Sequence, residues 1–279
     1  MIRITSSGVD VSVEGLAVYL DNWAIYDLAE KDPERRRRFL DAIHSGIDVL
    51  FSVTNAAELS GPQGRSVELV RQFLDAIGLR WFPVPLDATA VVKRERAHER
   101  PEAACIDQNF FKSHVARQMG PHGSDQAKLV EISESLFRLG PVLDWVGPQR
   151  KSISEGAADF DAMIKDKMTM LREMSRLDRA SFDRKFPVLP LDPTRRAGFV
   201  YGNLLRVMAL DADSLKKGDG LDFCHTVVGF AYASFAALDT RWKSRVAKLP
   251  PNRLARVYSA PDLDQMVEDM EFWVRHRAA

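Results

Sequence analysis

Four acidic residues occupy positions from which they could act together. Asp21 ends the apolar run LAVYL in AVYLDNWAIYDLAE, and Glu58 lies in SVTNAAEL. Asp222 opens the stretch LDFCHTVVGFAYA, with His225 three positions on, and Asp239 closes SFAALD. Carboxylates gathered at one rim repel each other unless divalent cations sit between them. Hard oxygen ligands suit magnesium or manganese. Two such ions can activate a water and stabilise the leaving oxygen in phosphodiester hydrolysis.

Such a rim needs elements that end together. LAVYL (16–20), IDVLFSV (47–53) and LRWFPVP (79–85) read as short buried strands, and SFAALD and LARVYS as two more near the end of the chain. Continuous apolar runs of this length suit strands covered on both faces. Helical segments lie between them. In DPERRRRFLDAIHSG, Asp32 is placed to cap, Pro33 takes the first helical position and Gly46 follows the end. Alternating strands and helices predict an α/β fold, with a doubly wound, mainly parallel sheet flanked by helices. In such a sheet the carboxyl ends of the strands converge on one crevice.

From about Leu86 to Leu191 strand signals are nearly absent. An apolar recurrence through Phe160, Ile164, Met168, Leu171 and Met174 has the helical period, while GPHGS and LGPVLDWVGP read as turns. The expected organisation is an α/β domain of residues 1–85 plus 195–279, interrupted by a mostly helical insertion at 86–194.

Each candidate also has a plainer role. Asp21 could serve only as an N-cap, and so could Asp222, with Asp219 in the KKGDG turn just before it. Glu58 alone reads as a solvated helix residue, and His225 as a packed core histidine. The order of the acids along an α/β pattern is what makes a shared site the better reading.

Asp21 after an apolar strand, Glu58 in SVTNAAEL and the run LDFCHTVVGFAYASFAALDTRW together resemble the PIN-like nuclease pattern. The resemblance covers roughly residues 15–85 and 195–275. It implies a magnesium- or manganese-dependent nuclease acting on RNA, as in bacterial toxin nucleases and RNA-processing enzymes. Asp21, Glu58, Asp222 and Asp239 would then hold metal, with Thr54 and His225 in support. It further implies an inhibitory partner protein of the antitoxin kind and a homodimer. Two departures stand out: Ser234 takes roughly the place of a further aspartate, and Leu238 precedes Asp239 while the threonine follows as Thr240. They motivate a rival reading, a catalytically inactive PIN-like module that uses its helical insertion to bind protein or RNA.

Composition narrows the alternatives. Lys plus Arg and Asp plus Glu number 39 each, so any nucleic-acid surface must be a local patch. Arg35–Arg38, residues 93–100 (KRERAHER) and the stretch with Lys165, Lys167 and Arg172 are candidates, though such runs are usually solvated helix faces. Two cysteines without metal-ligand spacing fit a reducing compartment. The opening residues lack an apolar leader core and no apolar run spans a bilayer, so a cytoplasmic protein without a membrane partner is expected. GxGxxG and Walker motifs are absent, which gives nucleotide cofactors no support.

Overall fold

The computed structural model describes residues 2–5, 8–12, 15–61, 65–97, 104–119, 138–211 and 213–277. Five parallel strands form the central sheet. The chain opens with β1 (Ile2–Thr5) and β2 (Gly8–Val11), an antiparallel pair outside that sheet. Then come β3 (Leu16–Leu20), α1 (Asn22–Glu30), α2 (Pro33–His44), β4 (Ile47–Ser52), α3 (Val53–Leu59), α4 (Arg65–Ala76) and β5 (Trp81–Val84). The last third contributes α10 (Arg196–Leu210), α11 (Asp219–Tyr232), β6 (Phe235–Ala237), α12 (Thr240–Val246), β7 (Arg256–Tyr258) and α13 (Leu263–Arg277).

The order across the sheet is β5-β4-β3-β6-β7, so the chain runs outward one way from β3 and then returns to build the other way from β6. The doubly wound α/β architecture read from the strand runs is therefore the observed one. β3 and β6 are neighbours, with Val18 opposite Phe235 and Leu20 opposite Ala237. Their carboxyl ends mark the place where strand order reverses, the usual crevice of such sheets.

Side-chain alternation along the strands explains the two cores. Val18 and Leu20 of β3 join Val49, Phe51 and Trp81 in one cluster beneath α1, α2, α4 and α13. Ala17 and Tyr19 join Leu50, Phe82 and Val84 in the other, beneath α10 and α11. All six residues of β4 are buried, as a strand covered on both faces requires.

Residues 86–194 form no strand among those described and carry α5 (Ala88–Arg96), α6 (Gln108–Met119), α7 (Leu139–Val146), α8 (Arg150–Leu177) and α9 (Arg179–Lys185), with an irregular stretch from 186 to 194. Ile164, Met168 and Leu171 of α8 and Phe182 of α9 are buried in the same cluster as Tyr19 and Phe223. The insertion thus shares a core with the sheet. LGPVLDWV, read above as a turn, is instead α7: Leu139, Val142, Leu143 and Val146 form a buried stripe that outweighs the glycine and proline in its first turn. GPHGS lies outside the described residues.

The basic runs are largely absorbed by the fold. Arg35 pairs with Asp27 and Asp264, Arg37 with Glu34 and Asp41, and Arg38 with Glu271, which ties α2 to α13. Lys167 donates to the Tyr201 hydroxyl at 2.8 Å, and Arg172 to the Met208 carbonyl at 2.9 Å. Those two hold α8 to α10. Among the described residues no helix is long and apolar enough to cross a membrane.

Candidate functional site

Asp21 and Asp239 occupy equivalent positions one strand apart. Each directly follows the end of a central strand or its last extended residue, and each caps the next helix. Asp21 accepts from the Asn22 amide at 2.8 Å, and Asp239 from the Trp242 amide at 2.8 Å. The Asp21 amide in turn donates to the Ala237 carbonyl at 3.1 Å, which binds the two strand ends together. Capping and a site role coexist here, because a capping carboxylate also gains from the positive end of the helix.

Asp222 comes from above the sheet. Helix α11 begins at Asp219 rather than at Asp222, so Asp222 lies within the first turn and is not the cap. Two glycines let α11 come close enough to deliver it. A Cβ at Gly229 would stand 2.6 Å from Cγ of Tyr19 on β3, and one at Gly220 2.6 Å from the Asp161 carbonyl oxygen on α8. Asp161 satisfies the start of α11, accepting from the Gly220 amide at 2.6 Å and the Gly218 amide at 3.1 Å. The insertion therefore positions the helix that carries Asp222.

Asp21, Asp222 and Asp239 line one cleft of about 10 Å³, together with Tyr19, His225, Thr226, Leu238 and Trp242. That is roughly the space of a single water. Glu58 stands outside the cleft on the exposed side of α3, where it accepts a hydrogen bond from the Asn22 side-chain amide. Asn55 donates to the Asn22 side-chain oxygen at 2.9 Å, so Asn22 bridges Glu58 to the helix that follows Asp21. As the side chains stand, no three His, Cys, Asp or Glu residues among those described are grouped so that they could hold a metal ion.

The electrostatics of the group are unusual for this chain. None of the four acids has an ion pair among the described residues, whereas Asp219, three residues before Asp222, is fully buried against Arg241. Burial, followed by repulsion from Asp239 and Glu58, raises Asp21 to about 6, with the Asn22 amide opposing. Burial and then Asp21 raise Asp222 to about 7; Asp239 and Asp219 add to this, and a hydrogen bond from Trp242 opposes it. Glu58 is raised by the protein packed around it, partly offset by Asn22. Burial pushes the Tyr19 hydroxyl upward too, followed by Asp21, with Asn55 opposing and Asp222 and Glu58 adding smaller contributions. Asp21 and Asp222 thus feel their acidic neighbours through space, and Glu58 reaches Asp21 although it stands apart.

The supporting residues also meet. Thr54 Oγ1 lies 2.8 Å from His225 Nε2, and Ser52 Oγ lies 3.4 Å from the same nitrogen. Ser52 caps α3 in a reciprocal arrangement with Asn55, which fixes the helix that bears Glu58. Burial lowers His225 to about 4. It is neutral near pH 7 and serves as a hydrogen-bonding spacer between α11 and α3. Ser234 is at the amino end of β6, where its hydroxyl accepts from the Ala17 amide at 3.4 Å. It belongs to the opposite edge of the sheet, so its identity has no bearing on the acid rim.

Two residues of the site have roles the sequence did not assign, although Trp242, just past Asp239, was open to packing under the last helix or to stacking on a base. Trp242 is buried and donates from Nε1 to Asp222 at 3.1 Å. Its place three residues after the Asp239 cap was the available signal, since an N3 side chain sits one turn from the strand end. Asn22, directly after Asp21, links Asp21 to Glu58, and nothing in its sequence context marked that role. Comparison with protein-family models, curated proteins and solved structures finds no match to this chain.

Proposed function

We propose that the chain is a PIN-like, magnesium- or manganese-dependent nuclease that hydrolyses RNA. The observation that carries this reading is the placement of Asp21, Asp222 and Asp239. Three separate elements bring them to one cleft at the reversal of strand order, with no ion pair to a cationic side chain among the described residues. The donor set fits a hard divalent cation, because carboxylate oxygens raised by burial and mutual repulsion gain most from a positive ion.

Asp21, Asp222 and Asp239 would hold the ion, with Glu58 joining by rotation of its exposed side chain away from Asn22. When bound, the ion supplies an activated water and stabilises charge on the leaving oxygen. The chain's own groups orient the ligands. Trp242 fixes one oxygen of Asp222, Asn22 holds Glu58 in reserve, and the Thr54–His225 contact keeps α3 at a set distance from α11. His225 is too poor a base in this environment to take a proton from water near pH 7. Ligation requires Asp21 and Asp222 to lose their protons, so metal affinity should rise through pH 6–7.

The narrowness of the cleft and the Asn22–Glu58 bond favour one rival, a binding module on the same fold that does no chemistry. One experiment separates the two. Purified protein is incubated with single-stranded RNA and manganese beside an Asp21→Asn variant. Cleavage by the parent and not by the variant supports the nuclease. Equal cleavage by both, or none by either alongside no manganese-dependent rise in melting temperature, rejects it.

A further inference from the structure

Where β3, β6 and β7 begin, at the sheet edge opposite the acids, a cavity of about 520 Å³ opens to solvent. Arg196, Arg253 and Arg256 line it, and among the described residues no carboxylate does. Arg256 is held at 2.9 Å by Asp269, which also accepts from the Tyr258 hydroxyl, and it lies 5.7 Å over the ring of Trp273. Among the described residues Arg196 donates only from Nε, to the Pro193 carbonyl at 3.1 Å. Arg253 is exposed and has no ion pair among the described residues. Two guanidinium forks thus face the cavity with their charge unbalanced. Ser234 Oγ accepts from the Ala17 amide, which leaves its own proton free to donate.

The remaining wall is apolar. Leu254 and Trp273 line the same space, and Trp273 is 41% exposed despite its size. A volume of this magnitude accommodates a nucleotide-sized molecule. Guanidinium forks match the oxygens of a phosphate, which can accept two parallel hydrogen bonds from each. An exposed indole offers a flat surface for a ring.

From this arrangement we infer a second ligand site, independent of the acid cleft, for an organic phosphate of the nucleoside monophosphate class. Arg196 and Arg253 take the phosphate, and the flat body lies along Leu254 and Trp273.

Calorimetric titration of the whole chain with 5′-AMP at low salt tests this, with EDTA present so that metal at the acid cleft cannot contribute. Inorganic phosphate and adenosine serve as half-ligands. One AMP should bind per chain, and each half-ligand at least about tenfold more weakly. Arg253→Ala and Arg196→Ala should each cost about tenfold in affinity, while Asp222→Asn should leave binding unchanged. Arg253→Ala alone carries the test if Arg196→Ala melts early, because Arg253 is exposed and makes no hydrogen bond or ion pair among the described residues. The assignment is overturned by any of three results: no AMP binding at millimolar concentration, adenosine binding as tightly as AMP, or undiminished binding by the Arg253→Ala variant.

Discussion

Two groups of acids lie within one helical turn of each other on and around α11, and they are solved in opposite ways. Behind the rim, Asp219 is buried against Arg241, with Arg245 4.0 Å away and itself stacked 4.6 Å over Trp242. Asp161, nearby on α8, spends both carboxylate oxygens on backbone amides at the start of α11. At the rim, Asp21, Asp222 and Asp239 have, among the described residues, only a backbone amide or an indole each, and they press on one another. The first group behaves as structure, since its charges are met. The second retains a cost that folding alone does not remove. Positive ends of three helices soften that cost: Asp21 and Asp239 cap α1 and α12, and Asp222 sits in the first turn of α11.

The sharpest way to break the contrast is at Asp21. Asp21→Asn should lower manganese-dependent RNA cleavage by at least about a thousandfold with the fold intact, read by timed cleavage assays beside circular dichroism. A variant that cuts at the parent's rate would place the chemistry elsewhere.

Asp219→Asn should do the reverse, costing roughly 3 kcal/mol of stability by leaving Arg241 and the buried Arg245 short of a partner. Denaturant midpoints measure this, and a neutral result would dissolve the distinction between the two groups.

Asp222→Asn should stabilise the metal-free protein by roughly 1–3 kcal/mol at pH 8. The sign follows from linkage. The folded carboxyl, at about 7, holds its proton more firmly than the ordinary value of 3.8, so its contribution to stability is complete below about 3.8 and is lost as pH rises through 7. The difference between variant and parent should therefore grow from pH 4 to pH 8 in EDTA. His225 titrates in both proteins and cancels in that difference. The same variant should lose the manganese-dependent rise in melting temperature.

The smallest change expected is that of Trp242→Phe, which keeps the buried ring and removes the Nε1 bond to Asp222. A stability loss of about 1–2 kcal/mol and a roughly tenfold slower cleavage should follow. Unaltered cleavage would mean that Asp222 needs no orienting donor.

Much of the frame was legible from local pattern. All five strands of the sheet were marked by short apolar runs, because burial on both faces leaves little room for polar residues. Asp32 and Pro33 announced the start of α2, and the spacing of Ile164, Met168 and Leu171 announced the buried stripe of α8. The β1–β2 pair was not anticipated. Its strands are four residues each, too short for alternation to rise above background. α7 was hidden by its Gly-Pro pair, and the start of α11 by the glycines around Asp219.

The acid site divides along the same line. The chain's own sequence determined that an aspartate would follow each central strand, since the strand ends and the caps are local features. It determined as well that Asp222 and His225 would share a helix, and that Thr54 and Asn55 would border the second strand where the helix carrying Glu58 begins. Only the tertiary structure decided that Asp219 is neutralised while Asp222 is not, that Ser234 faces the other edge, and that Trp242 and Asn22 hold the acids. Those outcomes depend on α8 meeting α11 at Gly220 and on α11 meeting Tyr19 at Gly229. Contacts between residues so far apart in the chain are set by how whole faces pack, and a one-dimensional pattern does not encode which charged partner ends up within reach.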